Sequence, residues 1–239
     1  MSGIFFMKKK LELLMAVTLI ATAFFLAKQG TIFVGNSHVK EQKTCIVIDA
    51  GHGGSDPGKV GCNDALEKDI NLALALKLKE TFSDDNLDII LTRDTDSGLY
   101  TEGSTNKKAE DMQNRCKIIT DANPCFTISI HQNSYPSPKI KGAQVFYYGQ
   151  SAGGKELAAI LQKTLIEQVD PDNHREAKAN ESYYLLKKTP TPTVIVECGF
   201  LSNPEEADLL LTAEYQEKLV AALHSGIMEY LKTQTSSTP

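Results

Sequence analysis

The sequence predicts an α/β fold: a single domain with a mostly parallel central sheet and helices on both faces, behind an N-terminal hydrophobic anchor. Three observations predict it. Short β-branched runs alternate with helix-spaced apolar runs from residue 44 onward, the pattern of strands joined by covering helices. Three lysines, Lys8, Lys9 and Lys10, stand directly before an apolar stretch from Leu11 to Ala27. No internal repeat and no second module interrupts the 239 residues, a length suited to one domain with a short extra segment.

Taken in order, residues 1–30 read as an export signal or membrane anchor. The apolar core lies near the short end of the roughly 17–25 residues that a spanning helix needs. Ala21-Thr22-Ala23 offers a small-x-small cleavage site, but Phe24, Phe25 and Leu26 continue the apolar run beyond it, which favours an uncleaved anchor. Residues 31–43 are polar and aperiodic and read as a linker, and residues 44–239 form the domain. Within it, strands are expected at 45–48, 88–92, 126–130, 145–148 and 194–196. Helices are expected at 66–82 (capped by Asp64), 109–122, 154–168 and 212–232, before a frayed tail.

Composition narrows the function. The net charge of -5 argues against a nucleic-acid partner, which would call for a basic face. With no Trp and only 7% aromatics, the case for a stacking platform is weak. Five cysteines, an odd number, include no C-x-x-C pair, so a zinc ribbon is excluded; buried packing is expected for all five.

The chemistry is expected beyond the carboxyl ends of the strands, where open α/β sheets bind ligands. His52 follows the first strand, His131 follows the third directly, and Glu197 ends the late strand. Glu67 lies in the first turn of the helix after the His52 loop. Two histidines and a carboxylate on convergent loops suit a zinc ion with one position open to water. Bound zinc lowers the water pKa to about 7 and polarises a carbonyl. A second carboxylate can carry the proton to a leaving amine. These residue types support the four as a set without deciding which glutamate binds metal. Each has a plainer reading: Glu67 completing a capping box with Asp64, His131 and His52 as structural histidines, Glu197 paired with a lysine or helix end. Arg93 and Arg115 read as structural ion-pair partners, His224 as packing, and His38 lies in the linker.

Five segments, in order, resemble the zinc-dependent N-acetylmuramoyl-L-alanine amidases. They are Ile46-Val47-Ile48-Asp49-Ala50-Gly51-His52-Gly53-Gly54, Glu67-Lys68-Asp69-Ile70-Asn71-Leu72, Leu91-Thr92-Arg93, Ser129-Ile130-His131-Gln132-Asn133-Ser134 and Val196-Glu197-Cys198-Gly199-Phe200-Leu201-Ser202-Asn203. The resemblance spans about residues 44–232. It implies zinc ligation by His52, Glu67 and His131, with Glu197 as the catalytic general acid/base, and hydrolysis of the bond between N-acetylmuramic acid and L-alanine in peptidoglycan. Gln132, where a small residue is common, and Cys198 depart from the pattern without removing a ligand. The short segment 135–144 leaves little room for the plugging helix of some relatives, which implies an open site.

The layout, one catalytic domain behind an anchor without wall-binding repeats, is most similar to the germination-specific, CwlD-like amidases of spore formers. That implies a role in spore cortex on the way to muramic δ-lactam, an extracytoplasmic location such as the forespore intermembrane space, membrane contact through the N-terminal segment, and an accessory protein. Three rival readings compete with it. Gly53, Gly58 and Lys59 match the start of a P-loop, but Val60 lacks the hydroxyl for Mg²⁺ and Asp56 would sit among phosphates. A cysteine hydrolase built on Cys198 and His131 would need an electropositive thiol setting. A non-catalytic peptidoglycan-binding protein would keep the fold without the chemistry.

Overall fold

The computed structural model describes residues 2–36, 43–83 and 85–236. The chain divides into two compact units, Met1–Gln42 and Lys43–Pro239. The first contains α1 (Ser2–Asn36), a helix that runs on into the first six residues of the expected linker. The remainder of that linker lies outside the described residues, apart from Lys43, as does His38. Among the described residues, no helix is long and apolar enough to cross a membrane.

The second unit is built on six strands: β1 (Thr44–Ala50), β2 (Leu87–Leu91), β3 (Phe126–Asn133), β4 (Gln144–Tyr147), β5 (Lys178–Ala179) and β6 (Thr193–Phe200). Their order across the sheet is β2-β1-β3-β6-β4-β5. The pairings β1–β2, β1–β3 and β3–β6 are parallel, so these four strands deliver their carboxyl ends to one edge. Strand β4 runs antiparallel to β6, so the sheet is mostly rather than wholly parallel, as the sequence suggests. No helix intervenes between β3 and β4, so the chain turns back on itself without a crossover.

The period-two pleat sorts side chains to two faces. Ile46, Ile48, Ala50, Phe126, Ile128, Ile130, Val194, Val196 and Cys198 join one core with α2 (Glu67–Glu80), α4 (Ala152–Gln168) and α7 (Ala213–Ser236). Val47 meets Ile119 of α3 (Lys107–Ala122) and Leu185 of α5 (Tyr184–Lys188) on the opposite face. Helices thus cover both faces, which explains the near-continuous apolar runs of the central strands. Each fully buried Ile, Leu or Val side chain stabilises the fold by about 1.5–3 kcal/mol.

Helix α7 buries Leu219, Leu223, Ile227 and Tyr230. Their three- and four-residue spacing made its amphipathic face readable. The start of α2 differs from expectation. Leu66, not Asp64, is the N-cap, and it makes no side-chain cap. Asp64 instead occupies a left-handed turn at φ 65°. The Glu67 and Lys68 amides donate to the Lys59 and Pro57 carbonyls, so the loop itself satisfies the helix terminus.

Three short elements carried no readable period: β5, α5 and α6 (Pro204–Leu209). The cysteines also correct the sequence reading. All five are free, but only Cys198 is buried, while Cys62 and Cys125 are exposed and Cys45 and Cys116 are half-buried.

Candidate active site

The site is assembled where β1 turns into its following loop. His52 stands two residues past the strand with φ 62°, a left-handed backbone that non-glycine residues rarely adopt. Arg115 holds it there: Nη2 donates to the His52 carbonyl at 2.5 Å, and Nη1 reaches the Ala50 carbonyl at 2.7 Å and Asp49 Oδ1 at 2.6 Å. Arg93 adds Nε to the Ala50 carbonyl at 2.9 Å and Nη2 to the Gly51 carbonyl at 3.0 Å. Both arginines brace the loop; Arg115 is the ion-pair partner the sequence suggests, whereas Arg93 forms no ion pair among the described residues and binds backbone carbonyls instead.

Asp49 anchors the arrangement from below the sheet edge. Burial pushes its carboxyl up, but the Arg115 guanidinium and hydrogen bonds from Ser129 and Thr92 outweigh that and hold it at about 2. This carboxylate, invisible as a special residue in an apolar strand, is a structural keystone that the sequence reading missed.

Glu67, His52 and His131 converge. Glu67 is the first residue of α2, 2% exposed, and points across the sheet edge. Its Oε1 lies 2.9 Å from His131 Nδ1 and its Oε2 lies 3.2 Å from His52 Nε2. One ligand atom from each of the three falls within 4.8 Å of the others. Asp56 Oδ2 sits 2.9 Å from His52 Nδ1, which fixes the ring and leaves Nε2 facing Glu67. The Glu67 carboxyl is held well below the usual carboxylate range: burial opposes this, and the hydrogen bonds from His131 and His52 win. His52 is shifted up, because Glu67 and Asp56 outweigh its burial.

The carboxylate is also held from behind. The amides of Lys59 and Gln132 donate to Oε2 and Oε1 at 2.7 and 3.1 Å. Asn71, one turn further along α2, donates from Nδ2 to the Gly51 carbonyl at 3.1 Å and to Glu67 Oε1 at 3.5 Å. Gln132 Nε2 in turn donates to Asn71 Oδ1 at 3.2 Å. The P-loop-like segment thus wraps a carboxylate: the Lys59 amide is bound to Glu67. Two glycines make the close approach possible. A Cβ on Gly51 would lie 2.4 Å from His131 Nε2, and one on Gly58 would lie 2.5 Å from Glu67 Oε2.

His131 and Glu197 are register partners on β3 and β6. Both lie inside their strands rather than at or beyond the ends, which corrects the expectation drawn from the end of the apolar runs. The ladder continues past His131, with Asn133 opposite Phe200, but through a register shift between His131 and Asn133, so the polar residues coincide with an irregularity in the pairing rather than with the strand's end. Glu197 is 8% exposed. Its Oε1 is 3.5 Å from the Tyr183 hydroxyl, and its Oε2 is buried without a hydrogen-bond partner. Burial raises the Glu197 carboxyl to about 6; His131 and His52 lower it in opposition, and the Glu67 charge adds to the rise. Tyr183, whose hydroxyl burial and the Glu197 charge push up to about 12, is a neighbour that no sequence signal marked.

These groups line a cleft of about 130 Å³ with Met112, Tyr184, Leu185 and Ile195 as apolar walls. No residue of 134–143 lines it, and that segment carries no helix, in keeping with an open site. Cys198 points to the opposite face, fully buried in the core, with its thiol shifted up by burial and by the Glu197 charge. A thiolate nucleophile there is excluded. His174 is exposed and lies outside the cleft, and His224 packs on Phe82 at 4.7 Å between ring centroids.

Residues 46–229 match the family model of N-acetylmuramoyl-L-alanine amidases. The chain belongs to this family. The germination-specific N-acetylmuramoyl-L-alanine amidase of Bacillus subtilis (strain 168) is 38% identical over 188 residues, covering 77% of this chain and 78% of that protein. The CwlD amidase from Clostridioides difficile, solved in complex with the GerS lipoprotein, superposes with a TM-score of 0.78 at 43% identity. That match covers 80% of this chain and all of the other. The amidase AmiA of Escherichia coli (strain K12) is more distant, 25% identical over 266 residues. As an amidase of this family, the protein acts on peptidoglycan.

Proposed function

We propose that this amidase is a zinc enzyme in which His52, Glu67 and His131 hold the metal and Glu197 is the general acid/base. The observation that carries the reading is the convergence of three ligand atoms within 4.8 Å beside a buried carboxylate with an unpartnered oxygen. The donor set fits: two imidazoles and one carboxylate are what a hydrolytic zinc site uses, with a position left for water. Zinc bound there would lower the pKa of its water and polarise the scissile carbonyl. Glu197 takes the proton from the attacking water and returns it to the leaving L-alanine amine. A carboxyl near pH 6 suits both halves of that task, being largely ionised at neutral pH yet a competent acid. The Tyr183 hydroxyl, 3.5 Å from Oε1, helps to orient the carboxyl.

We further propose that the substrate is cortex peptidoglycan, cleaved between N-acetylmuramic acid and L-alanine as a step towards muramic δ-lactam. Similarity to a germination-specific amidase supports this. The GerS lipoprotein bound to the CwlD amidase supports the expectation of an accessory protein. The lysine-led apolar segment within residues 1–30 supports export, with residues 31–43 as linker and 44–239 as the catalytic domain.

The test is mass spectrometry of peptidoglycan incubated with the protein, with zinc or with chelator. Peptides with a free L-alanine amine are expected with zinc alone. The Glu197→Gln variant should lose about 10²–10⁴-fold in kcat while still binding zinc, since it removes only proton transfer. Persistent hydrolysis in verified metal-free protein would overturn the zinc mechanism, and full activity in Glu197→Gln would overturn the glutamate's role.

A further inference from the structure

Among the described residues lining the cleft, the basic groups are paired within the protein, with one exception. Arg115 pairs with Asp49 and Asp111, Asp56 with His52, and Glu67 with both histidines. Glu197 meets the Tyr183 hydroxyl. The exception is Lys108, on the first turn of α3, which lines the same cleft and is exposed. Among the described residues, no carboxylate lies within 4.0 Å of its ammonium. Its neighbour Lys107 is turned away, 4.9 Å over the Tyr100 ring. Lys108 sits on the His52 side of the site: the Asp56 carboxyl, raised by burial, is lowered by His52, by the Gly58 amide and by the Lys108 charge. Met112, one turn further along α3 on the same helix face, and Tyr184 and Leu185 of the α5 region supply apolar walls of the cleft.

The substrate's own chemistry says what such a cation meets. In a muramyl peptide the lactyl carboxyl is consumed in the scissile amide, and the N-acetylated sugars are neutral. Negative charge therefore resides on the peptide stem. We propose that Lys108 is a specificity-determining residue that pairs with the free carboxylate of the acidic stem residue following L-alanine. This rests on the amidase reading above. The stem then lies along α3 towards Lys108, and the neutral glycan is left to the remainder of the cleft.

Two disaccharide dipeptides whose γ-carboxyl is capped as a methylamide, so that they differ only at the α-carboxyl group, test this: N-acetylglucosaminyl-N-acetylmuramoyl-L-alanyl-D-glutamate γ-methylamide and its D-isoglutamine (α-amide) counterpart. The full chain with zinc is expected to prefer the carboxylate by about tenfold in kcat/KM, expressed in KM, as for a charged hydrogen bond at a partly exposed site. Lys108→Met should bring that ratio to about one, and Lys108→Arg should restore it. Lys117→Met, on the same helix and paired with Asp121 away from the cleft, should keep the wild-type ratio. A merely structural role for Lys108 would change both substrates alike and leave the ratio. A ratio near one in the wild type, or one that survives Lys108→Met, overturns the proposal. Hydrolysis of neither dipeptide by the wild type, on a sample that releases peptides from whole peptidoglycan, overturns it while leaving the amidase reading standing. Failure on whole peptidoglycan as well would count against both.

Discussion

Asn71 and Gln132 sit behind the proposed metal ligands and touch neither substrate nor, on this geometry, metal. Asn71 bonds Gly51, Glu67 and Gln132 at once, tying the His52 loop, helix α2 and strand β3 together. Groups that orient a ligand in this way typically contribute 10–100-fold to metal affinity. Asn71→Ala and Gln132→Met are therefore expected to weaken zinc binding by about that factor, measured by competition with a chromophoric chelator. Affinities within twofold of the wild type would mean that the Lys59 and Gln132 amides alone hold Glu67. At this scale His52, His131 and Glu197 were readable as candidates because each is a polar residue beside an apolar run, whereas Glu67 taken alone also read as a helix cap and was singled out by the family resemblance. Asn71 and Asp49 were not, because an amide on a helix and an acid in a strand acquire their roles only from distant partners. Tyr183 is fourteen residues from Glu197 in the chain, and nothing local joins them.

The elements bring those partners together. Helix α3 contributes Arg115 from its third turn to the end of β1, where it forms the ion pair with the buried Asp49 carboxylate. Arg115→Met would strand that charge and leave the His52 and Ala50 carbonyls without a donor from Arg115. A loss of about 3–5 kcal/mol in urea-denaturation stability is expected. A loss below about 1 kcal/mol would mean that Arg93 or water takes over. The strands β1, β2, β3 and β6 were legible as short β-branched or apolar runs, and the helices α2, α3, α4 and α7 as the longer segments between and after them with apolar residues at helical spacing. The two-residue β5 and five-residue α5 were not, because they are too short to show a period and are held by their neighbours. The direction of β4 was also hidden: a four-residue strand reads the same parallel or antiparallel, and only its pairing with β6 decides.

For the whole molecule, the Asp49 pairing sets a pH dependence. Its carboxyl stands at about 2 in the folded protein against 3.8 ordinarily. A depressed folded value stabilises the native state above the unfolded value, and that contribution is lost as pH falls through the folded one. About 2 kcal/mol should disappear between roughly pH 4 and pH 2. Asp49→Asn should flatten that part of the acid-stability curve; an unchanged slope would assign it to other carboxylates. The unit Lys43–Pro239 holds the sheet, both cores and the whole candidate site. A protein of residues 43–239 is accordingly expected to unfold in one cooperative step, with a midpoint within a few degrees of the full chain by calorimetry. A much lower midpoint would show that residues 1–42 stabilise it.

The α/β class, the order of the long elements and the candidacy of His52, Glu67, His131 and Glu197 were legible in the chain before folding, the last through residue chemistry together with family resemblance. Hydrophobic period and residue chemistry are local properties, and the chain carries them whether or not it is folded. Only the tertiary structure decided that a carboxylate from α2 reaches between histidines of β1's loop and β3, that Glu197 is buried beside them, and that Lys108 faces the same cleft unpaired. Those facts depend on register, sheet order and the dielectric of a closed interior. They arise when segments far apart in sequence pack together, and no window of sequence contains them.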